Sequence, residues 1–135
     1  MNCAQLFEPT AGAETAVGMA SNTLTSANYY IMQNLGVTAL TSTDKTVFLN
    51  AQGLFFNVPA AANGSVSVTI PGTRGRQQSI TFASAQAFQA FILLHELGHE
   101  TGVFGSDRNN PALNGAFSRD VLNDCFTKNS KGQYQ

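Results

Sequence analysis

The hydrophobic pattern of the N-terminal part of the chain predicts one long helix. Apolar residues recur near the 3.6-residue helical period between residues 13 and 35. Gly18 and the Ser and Thr content weaken the pattern and leave a break near Asn22–Ser26 open. Gly36 follows the last periodic position and is placed to end the helix. We therefore expect an N-terminal helical region over 13–35.

The middle of the chain carries the period-two alternation and the apolar runs that are typical of short strands. Two turn dipeptides, Asn63-Gly64 and Pro71-Gly72, separate the later segments. These signals predict one small mixed sheet of three or four strands, partly antiparallel. The predicted strands are Thr46–Asn50, 54–58, 65–70 and 79–82.

Two further helices are predicted after the strands. Ser84 is a suitable N-cap, and residues 85–101 are apolar around much of the helical circumference, which indicates a central, buried helix. Gly102 can end this helix in the left-handed conformation. Residues 117–126 show helical spacing again, and the polar tail from Thr127 is expected to be frayed.

Composition limits the class of protein. The chain has 135 residues, and 43% of them are hydrophobic, which suits a single α+β domain over 1–135 with its own core. Charged residues make up 11%, against roughly 25% in an average soluble domain. The net charge of −1 argues against a nucleic-acid binder, and no apolar run is long enough to span a membrane. We expect a monomer with neither nucleic-acid nor membrane partners.

The two cysteines leave two alternatives open. Cys3 and Cys125 lie near opposite ends of the chain, and they form either two free thiols or one disulfide that ties the termini together. The first residues have neither the basic nor the apolar region of a signal peptide. Low charge with many Asn, Thr, Ser, Ala and Gln residues nevertheless favours a secreted or periplasmic protein whose signal peptide is absent from this sequence. A disulfide would fit that oxidising compartment.

One motif carries the candidate chemistry: His95-Glu96-Leu97-Gly98-His99, an H-E-x-x-H sequence inside the predicted central helix. Residues four apart lie on one face of a helix, so the two imidazoles can bind one zinc ion. Glu96 is rotated by about 100° from His95 and can act on a water at the metal as general base. Both histidines of the chain fall in this motif.

A third protein ligand is needed, and with no histidine left it is a carboxylate. Glu100 is rotated away from His99 on the same helix. Asp107 follows a glycine-containing turn that can bring it back to the metal, and it is the preferred third ligand. Asp120 and Asp124, on the last predicted helix, remain the alternatives.

Residues 95–102 resemble the active-site stretch of zincin metallopeptidases, and the H-E-x-x-H-x-x-G form with a later Asp is similar to metzincins of the snapalysin type. The resemblance implies a zincin-like fold with His95 and His99 as zinc ligands. It also implies Glu96 as the catalytic base and Gly102 as the turn toward the third ligand. The implied activity is zinc-dependent hydrolysis of peptide bonds.

The chain departs from the metzincin pattern at two points. Metzincins place the third ligand three residues after the glycine, which here is Gly105, whereas Asp107 lies two residues further on. The Met-turn is missing too, because Met1, Met19 and Met32 all precede the motif.

The zincin layout further implies a sheet edge beside the cleft, where a peptide substrate adds as an extra strand. The candidate strands are those at 65–70 and 79–82, and no residue could be assigned to stabilise an oxyanion. A zincin-like metal-binding module without catalysis is the alternative function, because 36 residues after His99 leave little chain for a specificity pocket. Iron(II) is the alternative metal for two His and one carboxylate.

Overall fold

The computed structural model describes residues 2–33, 35–72 and 76–135, and within them the chain is a mixed α+β structure. The five helices are α1 (Cys3–Phe7), α2 (Ala13–Ser26), α3 (Leu54–Asn57), α4 (Ala85–Glu100) and α5 (Pro111–Cys125). The five strands are β1 (Asn28–Met32), β2 (Ala39–Thr41), β3 (Thr46–Asn50), β4 (Val66–Pro71) and β5 (Gln77–Phe82).

The strands form two small sheets, so the prediction of one sheet with three or four strands is wrong. In the first sheet β3 is central, with β1 parallel on one side and β2 antiparallel on the other. In the second sheet β4 and β5 pair antiparallel, with Val66 opposite Phe82 and Pro71 opposite Gln77. The period-two alternation along the later strands is present as predicted. The sequence of a short strand, however, does not show which sheet the strand joins.

The predicted central helix is confirmed, and it lies between the two sheets. Phe88, Phe91 and Leu97 of α4 are buried in the larger core together with residues of β4, β5 and α5. Ile92, on the same helix, packs against both this core and a smaller one built on β3 and α3. The helix is apolar around much of its circumference because it faces apolar side chains on more than one side.

The long helix predicted over 13–35 is correct only as far as Ser26, where α2 ends. The Thr25 and Ser26 hydroxyls donate to the backbone carbonyl of Asn22, which is how such residues compete with helical hydrogen bonding. The next residues form β1, whose aromatic and β-branched side chains favour a strand. Gly36 therefore lies in a loop and does not end a helix.

The strand predicted at 54–58 is the short helix α3. Gly53 is its N-cap, and the Asn57 side chain donates to the backbone carbonyls of Ala51 and Gly53 at 2.9 Å each. A run of three apolar residues fits either element, because it is too short to show a period. Side-chain hydrogen bonds from Asn57 decide in favour of the helical turn.

The C-terminal part is more ordered than the sequence predicts. Helix α5 begins at Pro111 rather than at 117, because the Asn110 side chain caps it and proline suits the first helical position. The tail is not frayed: the backbone N–H of Tyr134 donates to Thr81, and its carbonyl accepts from Ala83, both at 2.8 Å. Tyr134 also packs on Phe82, which is fully buried.

Cys3 of α1 and Cys125 of α5 form a disulfide, which confirms the second of the two sequence alternatives. The bond joins residues 122 positions apart and fixes the end of α5 to the N-terminal helix. Among the residues that the structure describes, no helix combines the length and apolar character needed to cross a membrane.

Candidate metal centre

Helix α4 presents the two motif histidines on one face. The helix begins where the Ser84 hydroxyl accepts a hydrogen bond from the Ala87 backbone N–H at 3.1 Å. It ends at Glu100, and Gly102 follows in the left-handed conformation with φ of +78°. Ser84 and Gly102 are the local signals that predicted the two ends of this helix, and the structure confirms both ends to within one residue. The result is a regular last turn that carries His95 and His99 one above the other.

The chain reverses after α4 and returns beneath the motif. Gly102 permits the turn, and the Phe104 backbone N–H then donates to the carbonyl of Gly98 at 2.9 Å. This bond holds the loop against the last turn of the helix, so that Asp107 comes back toward the two histidines. Asp107, two residues beyond Gly105, reaches the histidines through this loop.

Three side chains converge in a triangle of possible ligand atoms. Nε2 of His95 lies 3.2 Å from Nε2 of His99. Asp107 Oδ2 lies 3.0 Å from the first of these nitrogens and 3.4 Å from the second. Among the described residues, this is the group of His, Cys, Asp and Glu side chains close enough together to hold a metal ion.

The triangle suits a first-row divalent metal. Ligands about 2.1 Å from a metal stand about 3.4 Å apart in a tetrahedron and about 3.0 Å apart in an octahedron. The three interatomic distances of the triangle fall within this range, so the three atoms can bind one ion without any movement of the backbone. The donor set of two imidazoles and one carboxylate is that of catalytic zinc sites and also of non-haem iron sites.

Hydrogen bonds from α5 support two of these three residues. The Asn114 side-chain amide donates to Asp107 Oδ2 at 3.1 Å. The Ser118 hydroxyl lies 3.3 Å from Nδ1 of His95, on the side of the ring that faces away from Asp107. Ser118 is buried.

The charge state of Asp107 suits a ligand. Burial alone raises the pKa of this carboxyl, but the hydrogen bond to His95, the electrostatic interactions with His99 and His95 and the Asn114 amide outweigh it and lower the pKa to about 2. Asp107 is therefore ionised at neutral pH and offers a carboxylate oxygen.

Glu96 is buried beside the triangle and points at the first sheet. Its Oε2 accepts a hydrogen bond from the Thr41 hydroxyl of β2, 55 residues earlier in the sequence. Burial raises the pKa of Glu96, while the electrostatic interaction with His95 and the Thr41 hydrogen bond oppose the rise. A carboxylate with a raised pKa is a better proton acceptor at neutral pH than an exposed one.

The triangle and Glu96 open onto a cleft of about 1020 Å³. Strand β2 forms one wall, the end of β4 from Val68 to Pro71 forms another, and the loop from Gly102 to Asn110 forms the rim. Of the two strands predicted to border the cleft, β4 does so and β5 does not. Strand β2, which the sequence did not predict, carries the sheet edge closest to Glu96.

The alternative third ligands lie elsewhere. Asp120 and Asp124 are exposed on α5 and do not join the group formed by the histidines. Glu100 does not join it either. Burial raises the pKa of Glu100, and the nearby Lys45 charge offsets only part of this rise. The Lys45 ammonium donates to the carbonyl of His99 at 2.8 Å and lines the cleft.

The three tyrosines of the chain, Tyr29, Tyr30 and Tyr134, are not part of the cleft lining. Tyr29 donates its hydroxyl to the carbonyl of Leu24, and Tyr134 packs on β5. Within the described chain, the cationic side chains that line the cleft are Lys45 and Arg108.

Sequence reasoning missed Thr41, Asn114 and Ser118. Thr41 and Ser118 touch the motif from distant parts of the chain, and no local pattern marks such a contact. Asn114 lies before the helix predicted at 117–126, although the Asn110-Pro111 pair is a helix-start signal that precedes it.

Comparison of the chain with protein-family models, with curated proteins and with solved structures gave no match in any of the three.

Proposed function

We propose that this protein is a zinc-dependent peptidase with a zincin-like arrangement. The observation that carries the proposal is the convergence of His95, His99 and Asp107 on one point beside a buried Glu96, at the floor of an open cleft. The helical i, i+4 histidine pair with the glutamate between them favours zinc over iron(II). The three ligands leave the cleft side of the triangle open, as a catalytic site requires.

His95 and His99 would bind the metal through Nε2, and Asp107 through Oδ2. When bound, zinc supplies Lewis acidity that lowers the pKa of water and polarises a substrate carbonyl. Thr41 holds Oε2 of Glu96, which leaves the other carboxylate oxygen to take a proton from the attacking water. Glu96 then delivers that proton to the leaving amine as the C–N bond breaks.

The substrate is an extended peptide lying along β2. Within the described residues β2 is an edge strand, since it pairs with β3 on one side. Its free backbone groups border the cleft next to Glu96 and can pair with a peptide strand. The disulfide between Cys3 and Cys125 supports a secreted or periplasmic location, because such bonds persist in oxidising compartments.

Metal removal tests this proposal. Protein purified without added metal is analysed for zinc and iron, treated with a chelator, and assayed on an unfolded protein substrate by mass spectrometry. We expect one zinc per chain, no cleavage after chelation, and restored cleavage when one equivalent of zinc is returned.

Two other outcomes would count against the proposal. Stoichiometric zinc with no hydrolysis across a broad peptide library would favour the metal-binding module without catalysis. Iron in place of zinc, with activity restored by iron(II) alone, would favour a non-haem iron site.

A further inference from the structure

We propose that one face of α5 positions all three ligand side chains for the metal. The face consists of Asn114, Phe117 and Ser118, and we call it the positioning face. These residues are spaced i, i+3 and i+4, so they lie on the same side of the helix. The inference rests on the proposed metal site and assigns a role to a helix that contributes no ligand itself.

Each residue of the positioning face contacts a ligand. Asn114 donates to the Asp107 oxygen that faces the histidines, at 3.1 Å. Ser118 lies 3.3 Å from Nδ1 of His95. The ring centroid of Phe117 lies 5.9 Å from that of His99 and 6.3 Å from that of His95. Each of the three proposed ligands therefore has a contact with α5 that restricts its orientation.

The Ser118 hydroxyl supports the form of His95 that can bind a metal through Nε2. When the ring proton is on Nδ1, it donates to the Ser118 oxygen, and the lone pair of Nε2 is then free to face the metal. Ser118 is 3% exposed, so water does not compete with it for this hydrogen bond. The serine therefore restricts the rotation of the His95 ring and is placed to accept the Nδ1 proton when Nε2 binds a metal.

Phe117 acts together with Phe104, and both phenyl rings contact the imidazoles of His95 and His99. The two phenyl rings are stacked, with centroids 4.4 Å apart and planes 4° from parallel. His99 meets both rings at near right angles, 77° with Phe104 and 81° with Phe117. Edge-to-face contacts of this kind restrict ring rotation, so the phenyl pair limits how far the histidines can turn.

The positioning face is itself fixed by contacts away from the site. Arg119 donates to the carbonyl of Pro71 at 2.9 Å, and Gly115 packs so closely on the same carbonyl that a side chain there would overlap it. The disulfide at Cys125 anchors the end of the helix. Supports of this kind stop α5 from rotating about its axis, which would move all three positioning residues together.

The test compares zinc affinity in single variants of the whole chain. Asn114→Ala and Ser118→Ala each remove one hydrogen bond to a ligand, and Phe117→Leu replaces the flat ring by an aliphatic side chain. Asn123→Ala is the matched control, because it makes the Asn114 change on an exposed position of the same helix. Zinc affinity is measured by competition with a chromophoric chelator, and each variant is also loaded with cobalt for its visible spectrum.

We expect Kd for zinc to rise roughly 10- to 100-fold in Asn114→Ala and Ser118→Ala and to stay within about twofold in the control. The cobalt bands should change in intensity in all three positioning variants, even when the site is saturated. A variant that merely weakened folding would lower the stability of the metal-free protein and leave the saturated cobalt spectrum unchanged.

The two proposals fail in different ways. A wild-type chain that binds no zinc would contradict the proposed function. A wild-type chain that binds one zinc, with Asn114→Ala and Ser118→Ala equal to Asn123→Ala in affinity, would overturn the positioning face alone. If Ser118→Ala does not fold, Asn114→Ala at the first turns of the helix decides the matter.

Discussion

Phe104 and Gly98 are in direct contact across the turn that follows α4: the phenyl ring occupies the space that a side chain at residue 98 would need. The Phe104 backbone is also hydrogen-bonded to the Gly98 carbonyl, so the ring cannot withdraw easily. The glycine within the H-E-x-x-H motif thus has a packing reason. It lets an aromatic ring lie beside both histidines, with centroids 5.9 Å from His95 and 6.0 Å from His99.

We predict that Gly98→Ala destabilises the protein. Alanine gains up to about 1 kcal/mol of helix propensity over glycine. Overlap with a buried ring costs about 1–3 kcal/mol, and here the ring is 4% exposed with little room to move. The expected net loss is about 1–2 kcal/mol in the free energy of unfolding measured with denaturant, together with weaker zinc binding.

Gly105→Ala is the matched control, because no atom lies within 4 Å of a Cβ there. It should change the free energy of unfolding by less than about 0.5 kcal/mol. Equal stability of the two variants would contradict the packing role of Gly98.

A second prediction concerns the hydrogen bond from Thr41 to Glu96. Thr41→Val keeps the shape of the side chain but leaves Glu96 without its hydroxyl donor. Hydrogen bonds to charged groups contribute about 1.5–3 kcal/mol, so kcat/KM should fall roughly 10- to 100-fold while zinc content stays at one per chain. Thr43→Val, an exposed change in the same cleft wall, should leave kcat/KM within about twofold of wild type. A Thr41→Val enzyme as active as Thr43→Val would show that Glu96 needs no such support.

The assignment of the third ligand gives a third prediction. Asp107→Asn should weaken zinc binding by more than about 100-fold, beyond the effect of losing a residue that merely supports a ligand. Asp124→Asn makes the same change on an exposed position of α5 and should bind zinc as the wild type does. Isothermal titration of metal-free protein measures both. The opposite order of affinities would move the third ligand to α5.

The disulfide gives a fourth prediction. Closing a loop of more than a hundred residues contributes about 3–5 kcal/mol in the loop-entropy description, so Cys3→Ser/Cys125→Ser should unfold at much lower denaturant than the oxidised wild type. Thiol titration of the unfolded, unreduced wild type provides the control and should find no free thiol. Two titratable thiols in that experiment would contradict the disulfide.

The sequence predicts those features that depend on neighbouring residues. Helix α4 is found to within one residue because Ser84 and Gly102 mark its ends locally. Strand β3 is found because Val47 and Leu49 are two positions apart on one face of a β-branched and apolar segment, and both are buried. The same reasoning fails at β1, where an apolar periodicity continued past Ser26 although Tyr, Tyr and Ile favour a strand.

The candidate site divides in the same way. His95, Glu96 and His99 are recognisable from spacing alone, and Asp107 follows from the glycine turn after them. Thr41 belongs to a three-residue strand, and the pairing of this strand with β3 brings Thr41 to Glu96, 55 positions later in the sequence. A pattern of neighbouring residues cannot predict a contact between positions so far apart. The supporting residues of the site depend on the tertiary fold.

The most direct test of the proposed function is the rate of peptide-bond hydrolysis by Glu96→Gln relative to wild type, with both proteins at one zinc per chain. Glutamine keeps the size of the side chain and can still contact Thr41, but it cannot take a proton from water. We predict that zinc content is unchanged and that hydrolysis falls by at least about 100-fold, the lower end of the 10²–10⁴ range for a general base. Cleavage by Glu96→Gln at the wild-type rate would contradict the account.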